Sequence, residues 1–168
     1  MNAYPDRHAE LLRFLAEHAP GAAPPEPASQ DASFRSYWRV RDGERTYVVM
    51  DAPPGPEDVR PWLDIGARLR RAGLHAPEVF ASDAEGGFVL MEDLGTRTYL
   101  PELDDASVDA LYGDALAALL RMQVAVGTEG LPVFDVTRTI PEMELLGPWF
   151  LERHLGFVPS WRGKPGWA

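Results

Sequence analysis

The segments that favour β-strands are confined to one stretch of this chain, and only helical patterns follow them. Aromatic and β-branched residues fill 34–40 and 46–50, and Asp42-Gly43 between them is a turn former, so this stretch is predicted to form a β-hairpin. Two more short strands are predicted at 78–81 and 88–92. Strands that precede a run of helices indicate an α+β fold with a small antiparallel sheet.

Helices are predicted before, between and after these strands. They are an amphipathic helix over 6–18, a second over 57–72 closed by Gly73, an Ala/Leu-rich helix over 107–126, and a last helix from a capping box at Thr139 and Glu142 to Leu155. The apolar content of the 107–126 segment predicts a largely buried helix. The proline-rich stretch 19–27 is predicted to be a linker or a ragged edge strand.

Charge and composition exclude several classes of partner and chemistry. Sixteen basic residues against 26 acidic ones give a net charge of -10, so the field of the chain repels nucleic acid. No apolar run approaches the roughly 20 residues of a membrane-spanning helix, and a secretory signal pattern is missing, which together favour a cytoplasmic location. The chain has no cysteine for thiolate chemistry, and its single lysine is Lys164.

Several segments resemble the aminoglycoside-phosphotransferase-like kinases, which share the protein-kinase fold. Residues 29–40 (SQDASFRSYWRV) are similar to the phosphate-binding loop and second strand of that family. The segments 49–54 (VMDAPP), 90–100 (LMEDLGTRTYL) and 148–156 (PWFLERHLG) narrow the resemblance to the anomeric kinases that phosphorylate N-acetylmuramate and N-acetylglucosamine in cell-wall recycling. The resemblance covers about residues 3–156, but only about the first half of such a kinase.

The resemblance implies a division of the chain and a set of nucleotide-binding residues. The expected parts are an N-terminal helix (1–18), a kinase-like small lobe (19–93), the hinge with the first large-lobe helices (94–156) and an irregular tail (157–168). ATP would be the phosphoryl donor, with magnesium as its metal. The predicted nucleotide-binding residues are Asp31, Ala32, Ser33, Phe34 and Arg35 in the loop and Glu92, Asp93 and Leu94 in the hinge. The carbonyl of Glu92 and the amide of Leu94 would contact adenine.

The chain has no candidate for the groups that perform phosphoryl transfer in this family. Its catalytic loop carries His-x-Asp, with an asparagine five residues after the aspartate, and none of the four histidines here begins such a motif. The stretch equivalent to the third strand, 47–51, also lacks the lysine that normally contacts the phosphates. We therefore expect the N-terminal part of an ATP-dependent sugar kinase, without magnesium ligands of its own and inactive alone.

Other polar residues fit both a functional and a structural interpretation. Three arginines of the hairpin either reach phosphate or solvate a strand: Arg39, Arg41 and Arg45. Asp104-Asp105 is interpreted as a helix N-cap rather than a metal site. Glu144 and Trp149 on the last helix suit hydrogen bonding and stacking with an amino sugar, although packing also explains Trp149.

Two other functions stay open on the sequence alone. One is a non-catalytic module that binds a nucleotide or a protein, and the other is part of an aminoglycoside phosphotransferase, whose acidity would favour polycationic substrates. An autonomous module would be a monodisperse monomer. Part of a kinase would instead expose the apolar faces of the helices at 107–126 and 140–155, and would self-associate through them.

Overall fold

The computed structural model describes residues 7–30 and 33–157, and the chain divides into two units, Met1–Gly127 and Thr128–Ala168. The first unit contains a five-stranded antiparallel sheet and helices, which confirms the predicted α+β class. Its elements are α1 (Arg7–His18), β1 (Glu26–Gln30), β2 (Ser36–Asp42), β3 (Arg45–Asp51), α2 (Arg60–Arg71), β4 (Val79–Asp83), β5 (Phe88–Glu92), α3 (Tyr99–Glu102) and α4 (Val108–Ala125).

The strands follow the order β1-β2-β3-β5-β4 in the sheet. Asp42 pairs with Arg45, so the turn of the predicted hairpin lies one residue later than expected, with Gly43 at a φ of 60°. The edge strand β1 begins in the stretch predicted as a linker or ragged strand and continues into the predicted phosphate loop. Its register shifts between Pro27 and Ser29, which is an irregularity that an edge strand tolerates.

The sheet has a helix on each face. Alternate residues of each strand point to opposite faces, so each face has its own core. On the α1 face, the core consists of Leu11, Phe14, Leu15, Ala19, Val40, Val49, Phe88 and Leu90. On the α2 face, it consists of Met50, Ala52, Val59, Val89 and Met91, with Trp62 and Leu63 of α2 packed against them. The first two helices therefore supply the two outer layers of the domain.

An ion pair fixes the start of α1 to one end of the sheet. The guanidinium of Arg7 bonds the carboxylate of Asp51, which is 8% exposed, and donates to the carbonyl of Gly86 at 2.8 Å. It also lies 4.1 Å from the centre of the Phe88 ring. Arg7 thereby neutralises the charge of Asp51, the buried last residue of β3.

Helix α4 forms where the sequence predicts it, but the prediction that it is largely buried is wrong. None of its residues is buried, and Leu116, Leu120 and Val124 are all exposed. Arg121 connects it to the end of α2 by donating to the carbonyl of Gly73 at 3.2 Å. Apolar content indicates that a helix face favours burial, but it does not show which residues pack against that face.

The turn before α4 gives Asp104 a structural role, but the predicted N-cap at Asp104-Asp105 is wrong, because the N-cap of α4 is Ser107 and its side chain makes no capping hydrogen bond. Its carboxylate accepts hydrogen bonds from the amides of Ala106 at 2.9 Å and Ser107 at 2.8 Å. Hydrogen bonds from Ser107 and Ala106 lower the pKa of Asp104 below its ordinary value. The carboxylate of Asp104 therefore satisfies amides within the turn that precedes α4, and not amides of the helix itself.

The second unit contains α5 (Val136–Glu144) and a π-helical segment, Leu146–His154. The predicted start at Thr139 is wrong, because Asp135 caps α5 by accepting from the amide of Arg138 at 3.3 Å. Thr139 instead donates to the carbonyl of Asp135 at 2.8 Å. Pro141 lies inside α5, where it has no N–H to donate.

Across residues 7–30 and 33–157, no helix has both the length and the hydropathy that spanning a bilayer requires.

Candidate functional site

The α2 face of the sheet carries a row of larger side chains on β2. Tyr37 and Arg39 lie two residues apart and therefore on one face, opposite Met50 and Val48 of β3 respectively. Val48 in turn lies opposite Met91 of β5. Tyr37 and Val48 are partly buried and pack against the core of this face, so the middle of the row is aromatic and apolar.

At one end of this row, Arg39 is bound to the predicted hinge. Its Nε lies 2.6 Å from Oδ2 of Asp93, and its Nη2 lies 3.0 Å from Oδ1. The Asp93 carboxylate also accepts from the amide of Gly95 at 2.9 Å. These bonds engage Arg39 with the hinge, which decides against the interpretation that it is free for phosphate.

The electrostatics of Asp93 reflect this clamp. Hydrogen bonds from Arg39, with help from the Gly95 amide and the Thr46 side chain, outweigh desolvation and lower the pKa of Asp93 to about 2. Its side chain is 6% exposed. Gly95 has a φ of 86°, which an L side chain rarely adopts. The backbone on both sides of Leu94 is therefore fixed.

The predicted adenine-contacting groups lie at this clamp. The amide of Glu92 donates to the carbonyl of Glu78 at 2.8 Å, and its carboxylate accepts from the amide of Glu78 at 3.1 Å, which holds the end of β5. Leu94 is half exposed. Among the residues that the structure describes, its amide has no acceptor. An N–H without an acceptor among the described residues, next to Asp93, whose carboxylate is bound to Arg39, suits a planar acceptor such as a heteroaromatic nitrogen.

At the other end of the row lies the predicted phosphate loop, of which Asp31 and Ala32 fall outside the described residues. The amide of Phe34 donates to Oε1 of Glu57 at 3.2 Å, and the Nε of Arg35 lies 3.0 Å from Oε2. The hydroxyl of Ser33 accepts from the Arg35 amide at 3.2 Å. The carboxylate of Glu57 therefore hydrogen-bonds both a backbone amide and a side chain in the described part of the loop.

Sequence reasoning missed Glu57, which lies in the turn between β3 and α2. Desolvation raises its pKa, but hydrogen bonds from Arg35, the Phe34 amide and Ser33 outweigh that effect, and the net pKa is below the ordinary value. Hydrogen bonds to Glu57 and Tyr37 raise the pKa of Arg35, against the effect of its own burial.

The two ends of the row are a defined distance apart. Arg35 and Arg39 are four residues apart on an extended segment, which corresponds to about 14 Å at roughly 3.4 Å per residue. One end holds the Arg35 guanidinium and the Phe34 amide, both bonded to Glu57, the middle is aromatic and apolar, and the other end has the Leu94 amide. This arrangement fits an elongated ligand with an anionic tail and a planar polar head.

Neither end gathers a metal site. Within residues 7–30 and 33–157, no group of three or more His, Asp or Glu side chains is placed to hold a metal ion.

The predicted sugar-contacting residues lie in the second unit. Glu144 is the last residue of α5, and Trp149 lies in the π-helical segment with 57% of its surface exposed. The guanidinium of Arg153 lies 4.8 Å from the Trp149 ring. The guanidinium therefore covers one face of the Trp149 ring, and the sugar-contacting role of Glu144 and Trp149 stays a prediction.

Comparison with known proteins gives a consistent set of relatives. The Phosphotransferase enzyme family matches residues 24–157. An N-acetylmuramate/N-acetylglucosamine kinase of Pseudomonas aeruginosa is 44% identical over 145 residues, which cover 85% of this chain and 43% of that protein. The proteins of the same name from Pseudomonas putida and Neisseria meningitidis serogroup B are 40% and 31% identical, over 83% of this chain in each case. The chain spans less than half the length of these relatives.

Proposed function

The chain belongs to the phosphotransferase enzyme family, and from that premise we propose that it is the N-terminal, nucleotide-binding part of an ATP-dependent kinase. The proposed reaction of the whole enzyme transfers the γ-phosphoryl group of ATP to the anomeric hydroxyl of N-acetylmuramate or N-acetylglucosamine. The names of the relatives support this choice of sugar. The proposed location is the cytoplasm, where ATP is available.

The observation that carries the nucleotide proposal is the separation of two ligand-binding ends on one sheet face. Adenine would accept from the Leu94 amide beside the Arg39–Asp93 clamp, and its ring would lie near Tyr37 and Val48. The phosphates would reach the described loop around Arg35. The distance of about 14 Å between Arg35, just before β2, and Arg39 is comparable with the length of an extended nucleoside triphosphate.

The same residues define what this part contributes to the transfer. The sugar oxygen forms a bond to the γ-phosphorus, the bond from that phosphorus to the bridging oxygen of ADP breaks, and a base takes the hydroxyl proton. Arg35 would hold phosphate charge, and the hinge would orient the nucleotide. Magnesium bound with ATP would neutralise further charge, but the described residues do not gather ligands for it, so we assign no residue to the metal.

The surface of α4 gives independent support. Its exposed leucines and Val124 form the kind of apolar surface that further protein normally covers, as the first helix of a larger lobe requires. We propose that α3 and α4 begin this lobe after the hinge. The same surface would let isolated copies of this chain self-associate.

Titration calorimetry of ATP and adenosine into the full chain tests the nucleotide proposal. Both ligands should saturate, with a dissociation constant for ATP weaker than about 1 μM, because only one side of the cleft is provided. Leu94→Pro, which removes the amide hydrogen, should abolish adenosine binding while cooperative melting persists. A folded chain that binds neither ligand at millimolar concentration would refute nucleotide binding, and submicromolar binding would refute the account of a partial cleft.

A radiolabelled-ATP assay tests the proposal that the chain alone is inactive. No phosphorylation of either N-acetylated sugar above a buffer control is expected, because no base or magnesium ligand has been identified in this chain. Turnover that remains proportional to the chain through further purification would show that carboxylates such as Asp93, Asp104 or Asp105 do the chemistry.

A further inference from the structure

The carboxylate of Glu57 already occupies the donors of the phosphate loop. It accepts from the Phe34 amide at 3.2 Å and from Arg35 Nε at 3.0 Å. Its side chain is only 10% exposed. A main-chain amide and a guanidinium that converge on one anion form the same kind of donor set that binds phosphate oxygens.

Two anions cannot use these donors together. The Phe34 amide has a single hydrogen, and in this structure Glu57 accepts it. A phosphate placed beside the carboxylate would be repelled by it, because like charges at contact distance near a protein surface interact strongly. Arg35 retains donors on its Nη atoms, but the amide and the Nε become available only when Glu57 moves.

Glu57 is placed where it can leave. It lies in the turn after β3, where its amide donates to the carbonyl of Pro53 at 3.2 Å, and the residues just before it, 54–56, are exposed. Rotation about its side-chain bonds therefore brings the carboxylate into water without moving the sheet. Its negative charge favours solvent once an anion of higher charge takes its partners.

We propose that Glu57 is an internal counter-anion of the phosphate loop, and that the phosphates of the nucleotide bind by displacing it. This inference rests on the proposed nucleotide-binding function and adds an autoinhibitory contact to that site. In the free protein the contact keeps Ser33, Phe34 and Arg35 ordered and their donors satisfied. Its cost is a weaker affinity for any phosphate ligand.

The test uses the full chain, Glu57→Gln, and two probes that report on the two ends of the site. Inorganic tripolyphosphate should bind Glu57→Gln about tenfold more tightly than the wild type at low salt, since the glutamine keeps the shape and removes the charge. The gain should shrink as salt is added. Adenosine, which has no phosphate, should bind both proteins equally.

Asp58→Asn is the matched control, because it removes the same charge one residue away. Asp58 is 52% exposed and pairs with Arg60 at 3.1 Å. Its variant should bind tripolyphosphate like the wild type, and a gain equal to that of Glu57→Gln would reduce the effect to net charge and overturn the proposal. Equal or weaker tripolyphosphate binding by Glu57→Gln, with adenosine binding intact, would overturn it by showing that Glu57 positions Arg35.

Adenosine binding distinguishes failure of this inference from failure of the proposed function. If no protein of the set binds adenosine or ATP, the nucleotide proposal itself fails, and this inference fails with it. Should Glu57→Gln melt below the assay temperature, Glu57→Asp replaces it. Its shorter side chain weakens the contact and should also tighten tripolyphosphate binding, and unchanged or weaker binding would refute displacement.

Discussion

Replacing Asp93 by asparagine tests whether the Arg39–Asp93 clamp is a strong interaction. The aspartate receives two bonds from Arg39 and one from the amide of Gly95, with its side chain 6% exposed. The substituted asparagine would keep the volume but would turn an N–H₂ group toward a guanidinium that only donates. We expect a loss of folding stability and a less well-fixed hinge.

The pKa of Asp93 gives the magnitude. It falls from 3.8 to about 2, and at about 1.4 kcal/mol for each tenfold change in proton affinity this difference corresponds to about 2.5 kcal/mol. Because the folded-state pKa is the lower one, the stabilisation is complete above about pH 4. It is lost as the pH falls from about 4 to about 2.

Urea denaturation of a double-mutant cycle measures this energy. Asp93→Asn, Arg39→Gln and the double variant at pH 7 should give a coupling free energy of about 2 kcal/mol. The stability difference between wild type and Asp93→Asn should narrow between pH 4 and pH 3, where the aspartate begins to take up a proton.

Arg97 and Glu102 supply the matched control, because they also form a two-bonded pair, at 3.3 and 2.8 Å, but on the surface. Solvent screening should leave their coupling free energy within error of zero. A coupling for Arg39 and Asp93 below about 0.5 kcal/mol would place their pair in the same class and would refute the clamp.

Three further predictions concern the layers around the sheet. Arg7→Met should lower the free energy of unfolding by about 3–5 kcal/mol in urea denaturation, because it leaves the carboxylate of Asp51 buried and unpaired. Arg13→Gln, on the exposed side of α1, should leave stability unchanged. Equal effects of the two substitutions would contradict the role of the Arg7–Asp51 pair. Leu90→Ala should cost about 2–5 kcal/mol by the same measurement, since it opens a cavity in the core, and a cost below about 1 kcal/mol would show that the core collapses around it. The exposed face of α4 should bind 8-anilinonaphthalene sulfonate and cause oligomers in light scattering, both reduced by Leu120→Gln; a dye-free monomer would favour an autonomous module.

The order of helices and strands was predictable because each element carries a local pattern. The hairpin follows from two β-rich segments around a glycine, and α2 follows from its apolar spacing and Gly73. The edge strand β1 has no such pattern, because it is short and polar and contains Pro27. It is specified by pairing with β2, which a local pattern does not contain.

The errors at the end of the chain have a physical cause of the same kind. A capping box at Thr139 competes with a stronger N-cap at Asp135, and the carboxylate prevails by accepting the Arg138 amide. For α4, the apolar composition correctly indicates a helix, but burial depends on what packs against that helix.

The candidate site was predictable only as separate segments. The loop and hinge were found by resemblance, whereas the contacts that order them join Arg35 to Glu57 and Arg39 to Asp93, across 22 and 54 residues. No spacing rule relates residues so distant in the chain. Arg39 could be recognised in the sequence as a charged residue of the hairpin, but its partner Asp93 depends on how the strands pair in the sheet.

The alternation on β2 makes the length of this strand less tolerant of change than its composition. Deletion of one residue between Arg35 and Arg39 would turn one of them to the α1 face and bring a polar group into the core. Deletion of two would keep both on the α2 face but shorten their separation by about 7 Å, which is roughly the difference between a triphosphate and a monophosphate. Under the proposed function, insertions and deletions between Arg35 and Arg39 would therefore change which nucleotides fit, whereas substitutions at Trp38 or Val40 would change stability alone.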